Sequence, residues 1–379
     1  MRRIALAMAV AAAAGATSLH AQVSVYSVLG IGFPLRATSV RARALGDGFV
    51  ANDAAAAVNP GAVGLVTPLT VSGVSATSLR GYSANGSDVD GLRDTRFPLA
   101  MLRGPLGGSR LNFALSYSSY ADRTFKVETG DTVNVRGADV AVSDQLVSDG
   151  GIADIRAAIG WNANLKIKLG VAVHLLSGST RERVQRTFDD PQYSSVSQTG
   201  DVAYTGWGVS AGAVITPTGR LRIGLAARKD GKLKVTDALL PTVRAHLPLT
   251  LTAGITVVPI SAARWSVTGS WRSWGNARDD IPTGSNLAVF DTWEIGTGVE
   301  LGGPDAGSHF PLRLGFRYAT LPFSPTAEQP REIDIAGGSA MTFARGRAVF
   351  EFTVERAVRD GGGASERAWQ LFFGLTIRP

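Results

Sequence analysis

The stretch Ala368 to Pro379 alternates with a strict period of two. Trp369, Leu371, Phe373, Leu375 and Ile377 fall on one face, and Ala368, Gln370, Phe372, Gly374, Thr376 and Arg378 on the other. Successive side chains of a strand point to opposite sides, so one face here is bulky and apolar while the other is mostly small or polar. The pattern recurs from about residue 69 to the end. No later segment approaches roughly 18 uninterrupted apolar residues, which excludes helical membrane spans. The alternation therefore reads as a transmembrane antiparallel β-barrel with its apolar face towards lipid.

Alternating segments lie near 69–80, 95–106, 109–124, 152–161, 164–178, 199–216, 220–237, 242–259, 263–275, 287–302, 310–321, 331–344, 347–358 and 367–378, which predicts about fourteen strands. Pro98 and Pro105 interrupt the second, and proline suits strand edges and ends. Connections alternate in length. Short ones are Gly107-Gly108, Asn162-Ala163, Pro217-Thr218-Gly219, Ile260-Ser261-Ala262 and Arg345-Gly346, with Gly303 to Ser308 somewhat longer. Long, polar ones are expected at 81–94, 125–151, 179–198, 276–286, 322–330 and 359–366. Outer-membrane barrels pair short periplasmic turns with longer outer loops, and an even strand number puts both barrel ends on the periplasmic side.

The faces follow from the period. Leu165, Ile167, Leu169, Val171, Val173 and Leu175 are expected at lipid, as are Leu312, Leu314, Phe316, Phe350, Phe352 and Val354. A charge at mid-bilayer costs ~2–4 kcal/mol on the lipid face. Lys166, Lys168, His174, Arg272, Arg313, Arg317, Glu351 and Glu355 are therefore expected to line the lumen. Trp265 and Trp369, near opposite strand ends, suit interfacial belts.

Three domains are expected. Residues 1–21 have the layout of a secretory signal peptide: Arg2 and Arg3, an apolar core from Ile4 to Ala16, and a cleavage point after Ala21. Residues 22–66 are small-residue rich and lack strand alternation, and such a segment cannot bury a core alone. Inside the barrel of residues 67–379 it could close the lumen. The formal charge of +7 is spread along the chain without a basic run, which gives no support for a nucleic-acid partner. Cysteine is absent, so disulfides and thiolate metal sites are excluded.

The order Ala44-Leu45-Gly46-Asp47-Gly48-Phe49-Val50-Ala51, Asp53, Asn59-Pro60-Gly61 resembles the N-terminal hatch of the FadL-like outer-membrane transporters. The resemblance covers the mature chain in architecture and about residues 41–65 in sequence. It implies a monomeric fourteen-stranded barrel plugged by its hatch, with hatch and gating residues at Gly46, Asp47, Gly48, Asn59, Pro60 and Gly61. It also implies passive uptake of hydrophobic compounds, long-chain fatty acids in the best-known members, without a cofactor. The expected surroundings are bacterial outer-membrane lipid and lipopolysaccharide, reached through the barrel-assembly machinery. Three departures stand out. Gly61 replaces the usual Ala, the third strand from Leu111 to Arg123 has no glycine for a kink that opens a side exit, and the chain ends in Pro379 rather than an aromatic residue.

Enzymatic signatures are sparse. No His-x-x-x-His, Gly-x-Ser-x-Gly or Walker pattern occurs, and the histidines are His20, His174, His246 and His309. His246 with Asp237 near the outer rim is the one dyad the strand placement suggests, and a solvated lumen or loop histidine is the preferred reading of it. Asp189-Asp190 and Asp279-Asp280 read as solvated loop pairs rather than calcium sites. No enzyme activity and no metal are expected. The reading is a hatch-gated channel for hydrophobic compounds; the alternatives are an adaptor barrel of a secretion or surface-assembly system and an open porin.

Overall fold

The computed structural model describes residues 24–66, 68–84, 87–107, 110–237, 241–280, 287–302 and 310–379. The expected signal peptide and the Gly303–Ser308 turn lie outside the described residues. Fourteen antiparallel wall strands form a closed barrel. They are β1 (Thr70–Ala84), β2 (Ser87–Pro105), β3 (Leu111–Asp122), β4 (Ala138–Asn162), β5 (Ile167–Phe188), β6 (Val196–Thr218) and β7 (Leu221–Asp230), followed by β8 (Leu249–Ile260), β9 (Ala263–Arg272), β10 (Thr292–Leu301), β11 (Leu312–Thr320), β12 (Arg331–Phe343), β13 (Ala348–Gly361) and β14 (Ala364–Ile377). Each pairs with the next, and β14 returns to β1 from Val71↔Ile377 to Ala84↔Ala364. Closure matters because an unpaired edge in lipid would leave backbone groups unsatisfied.

The faces follow the sequence alternation. Leu169, Val171, Val173, Leu175, Leu314, Phe316, Phe352 and Phe373 are exposed on the outside, while Ala172, His174, Arg313, Arg317, Glu355 and Phe372 are buried within. No helix among the described residues is long and apolar enough to cross a membrane.

The expected long loops prove partly to be strand. β4, β5 and β6 run for 25, 22 and 23 residues, about twice the ~9–11 residues that a bilayer needs. The segment 125–151, expected as a loop, holds a strand at Phe125–Val135 that pairs with Ala138–Ser148. Its tight turn places Arg136 and Gly137 at positive φ, as a two-residue hairpin turn requires. Together these strands form a blade that continues the wall past the long-loop end. The segment expected as one strand over 220–237 is broken after Asp230 and resumes as Lys232–Asp237, which pairs with Val243–His246.

One seam of the wall is split. β2 and β3 pair from Leu99↔Ser118 to Pro105↔Asn112. Pro98, at the end of that ladder, has no N–H to donate. Above it β3 takes a different partner: Asp122 and Ala121 pair with Phe33 and Pro34 of the N-terminal segment. The Leu35 N–H also donates to the Tyr120 carbonyl at 2.9 Å, and Arg96 Nη1 bridges from β2 to Asp122 Oδ2 at 3.1 Å. Thus the wall ladder is interrupted without the glycine kink sought in the third strand.

The facing assignment makes a direct prediction. Phe352→Arg should reduce the yield of folded barrel, since it sets a guanidinium towards lipid at ~2–4 kcal/mol. Glu351→Gln, whose carboxylate accepts from Arg313 Nη1 at 2.7 Å, should assemble normally because the amide oxygen still accepts. Equal yields on heat-modifiability gels would place the strand one residue out of register.

Candidate functional site: the lumen plug and its cleft

Residues 24–66 run down the lumen as a plug. At the long-loop end the Ser24 hydroxyl donates to Glu366 Oε2 at 2.8 Å and the Val25 N–H to the same oxygen at 3.0 Å. The Tyr26 hydroxyl donates to the carbonyls of Gly361 and Ala364, both at 2.9 Å, which fixes it on the β13–β14 turn. The middle holds one short helix, α1 (Val40–Ala44), whose Ser39 cap accepts from the Ala42 N–H at 3.0 Å. At the short-turn end Asn59 caps the turn Pro60–Leu65: its Oδ1 accepts from the Gly61 N–H at 2.8 Å. The Asn59 Nδ2 donates to Ala51 O at 2.7 Å and to Ala213 O of the wall at 3.1 Å.

Two pads of glycine let plug and wall backbones touch. Gly46 and Asp47 sit at φ +57 and +59, a region that glycine occupies freely and aspartate tolerates. A Cβ on Gly46 would strike the Phe316 backbone, and one on Gly296, Gly298 or Gly315 would strike residues 45–48. The second pad is Gly160, Gly170 and Gly212, against Gly64, Pro60 and Asn59. These pads account for part of the glycine content that the composition shows.

Charge pairs tie the same surfaces. Arg36 Nη1 donates to Asp47 Oδ2 at 2.8 Å and Nη2 to Glu355 Oε1 at 2.7 Å, with Asp334 Oδ2 at 3.1 Å. Arg317 joins Glu294 at 2.9 Å, Asp334 at 2.7 Å and Glu332, while Arg359 joins Glu332 and Glu366. A second hub is Glu300, which accepts from Arg41 of the plug at 2.5 and 2.8 Å, from Arg313 at 2.8 Å and from Arg264 at 3.0 Å. Breaking one partner of such a buried pair costs about 3–5 kcal/mol.

Above α1, plug and wall leave a small, partly open cleft. Phe33, Leu35, Pro98, Leu321 and Phe372 supply apolar surface, while Arg36, Arg43, Arg96, Arg272, Arg317 and Arg359 supply guanidiniums beside Glu294 and Glu332, with which Arg272, Arg317 and Arg359 are paired. The guanidinium of Arg43 stacks over Phe372 at 4.7 Å and that of Arg359 over Phe33 at 4.5 Å, so the cations lie against the aromatic rings. Arg96 and Pro98 place the cleft beside the split β2–β3 seam.

The residues singled out from the sequence are distributed as follows. Gly46, Asp47, Gly48, Asn59, Pro60 and Gly61 are all buried in the plug. Arg313, Arg317, Glu351 and Glu355 belong to the charge hubs, and Arg272 lines the cleft. Lys168 is half-buried at the short-turn end, its Nζ donating to Leu165 O at 2.7 Å. Lys166 is different: it is exposed in a turn, where Asn164 Oδ1 accepts from its N–H at 2.8 Å, and it lines no wall. His246 takes Asp280, at 2.9 Å from Nδ1, rather than Asp237 as its carboxylate partner. His174 is buried with two partners that the sequence reading did not connect to it. Asp154 lies 2.9 Å from Nδ1 and Ser210 2.9 Å from Nε2.

A closed fourteen-stranded wall around an N-terminal plug defines the FadL-type barrel fold. A FadL homologue of Pseudomonas aeruginosa superposes with a TM-score of 0.58 at 15% identity, over 92% of this chain and 99% of that one. The toluene transporter TbuX of Ralstonia pickettii gives 0.59 at 14% identity, over 91% and 99%. The toluene transporter TodX of Pseudomonas putida gives 0.57 at 12%, over 91% and 99%. No curated protein matches the sequence. Residues 1–231 match the BamG family model, and the chain belongs to the BamG family.

The plug geometry predicts its own release. Gly46→Val adds a branched side chain at positive φ against the Phe316 backbone, a strain of roughly 1–3 kcal/mol. Arg36→Ala leaves Asp47 and Glu355 without that guanidinium. Both should raise single-channel conductance in planar bilayers, and Lys166→Ala should not. Unchanged conductance in the first two would mean that the plug is held elsewhere.

Proposed function

We propose that this protein is a passive outer-membrane channel for hydrophobic compounds carrying an anionic head, of which long-chain fatty acids are the simplest. The short turns then face the periplasm and the blade faces outward. The observation that carries this reading is the cleft, where apolar and guanidinium surfaces meet above the plug. A neutral aromatic such as toluene, which two of the similar structures transport, needs only the apolar side. An acyl chain ending in a carboxylate uses both, because charge-assisted bonds to arginine are about twice as strong as neutral ones. The cleft adjoins the split seam, which supports a route sideways between β2 and β3 past Phe33–Leu35. Flux would follow the gradient, with the plug as the gate.

A second reading, an adaptor in surface assembly, draws on the blade of β4, β5 and β6, which membrane spanning alone does not require. The readings separate in one set of measurements. Cells carrying the intact protein should take up a long-chain fatty acid faster than cells lacking it. Arg272→Ala should slow that uptake several-fold while leaving toluene entry unchanged. The intact protein should conduct ions poorly, and deletion of residues 24–58 should raise conductance. Strong conductance by the intact protein would indicate an open porin. Uptake indifferent to loss of the whole protein, with secreted proteins co-purifying, would favour the adaptor.

A further inference from the structure

The wall carries a hydrogen-bonded relay that transport does not use. Asp154 on β4, His174 on β5 and Ser210 on β6 stand on three successive strands, and all three are over nine-tenths buried on the lumen face. The Asp154 carboxylate lies 2.9 and 3.0 Å from His174 Nδ1, and His174 Nε2 lies 2.9 Å from Ser210 Oγ. A carboxylate on Nδ1 fixes the proton there and leaves Nε2 as the acceptor for the serine hydroxyl. The carboxylate is itself held by Arg228 Nη1 at 2.6 Å.

Two guanidiniums flank this relay. Arg156 stands directly across the ladder from His174, and Arg228 directly across from Ser210. Among the described residues, Arg156 Nε, Nη1 and Nη2 and Arg228 Nη2 are buried donors without a hydrogen-bond acceptor. Polar groups in a purely structural ladder normally satisfy one another. Here the nucleophile–base–carboxylate set is complete, and the spare hydrogen-bonding capacity lies in cations beside it. That is the distribution acyl transfer requires, because negative charge develops on the carbonyl oxygen as the serine attacks. The site also adjoins the plug: Ser210 is two residues from Gly212, against which Asn59 packs.

We propose that Ser210 is a His174-activated nucleophile towards carboxylic esters that enter the lumen, with Asp154 as the positioning residue. In the first step the Ser210 Oγ–C bond forms, and the Oγ proton passes to His174 Nε2. The ester C–O bond then breaks as that proton is delivered to the departing alcohol. Water, deprotonated by the same nitrogen, cleaves the acyl-serine to release the carboxylic acid and restore the hydroxyl. Arg156 and Arg228 supply donors for the oxyanion. The inference stands independently of the transport reading.

The test uses the full-length protein, folded in detergent, and a fluorophosphonate probe. Mass mapping should find one adduct, on Ser210, and p-nitrophenyl ester hydrolysis should accompany it. Ser210→Ala should abolish both, and His174→Gln should slow labelling by on the order of 10²-fold, the usual share of a general base. Asp154→Asn should slow labelling and shift its pH profile, which a merely structural carboxylate would not do. Each variant is first checked for the heat-modifiable mobility of a closed barrel. A folded wild-type protein without a Ser210 adduct would overturn the proposal, as would labelling undiminished by His174→Gln; either result would leave the relay as wall structure.

Discussion

The structure depends on one constraint: inside lipid, a backbone N–H or carbonyl can be satisfied only by another strand. The β14–β1 ladder meets it by leaving the wall no free edge. Everything charged must then turn inward, because the outer face has been committed to leucine, valine and aromatic side chains. The lumen consequently collects arginine and carboxylate at a density that would be unstable if left unpaired. The plug resolves this. It contributes Arg36, Arg41 and Asp47 to the charge hubs and fills the remaining volume with small residues. The wall specifies the plug as much as the plug fills the wall.

At the β2–β3 seam the rule is relaxed, and the way it is relaxed is informative. β3 does not lose its partner; it exchanges β2 for Phe33–Pro34. The chain therefore keeps backbone hydrogen bonds on that edge of β3 where the ladder to β2 stops beside the cleft. A segment of two residues, rather than a kinked strand, sits at the junction. The cation Arg96 reaches across the same place to Asp122, so the break is spanned by side chains where the ladder stops.

Much of this was legible in the sequence because lipid imposes a strict rule. Within the bilayer a strand must alternate, so Ile167 to Leu175 and Trp369 to Ile377 could be assigned to faces residue by residue. Beyond the bilayer both faces of a strand may be polar, and the rule lapses. The stretches 125–151 and 179–198 therefore looked like loops although most of their residues are paired. Lys166 looked like a wall residue because the period runs through it, whereas the Asn164 side chain turns the backbone there. Partnerships across strands were the least accessible. That His174 meets Asp154 and Ser210 depends on the registers of β4, β5 and β6, which no local pattern states. The same holds for the preference of His246 for Asp280, since Asp280 approaches from a short 3₁₀ helix, Trp274–Asp280, rather than from a neighbouring strand.

The anchoring of Ser24 and Val25 on Glu366 has a consequence for how the molecule is built. The plug enters at the long-loop end, descends the lumen and emerges at the short-turn end to begin β1. The residue that receives the start of that segment belongs to β14, the strand that closes the wall on β1. The Ser24 end of the plug can thus be fastened only when the β13–β14 hairpin exists and the circumference is complete. The tether joins the start of the plug to the closing hairpin of the wall and acts as a clasp that only a finished barrel can close.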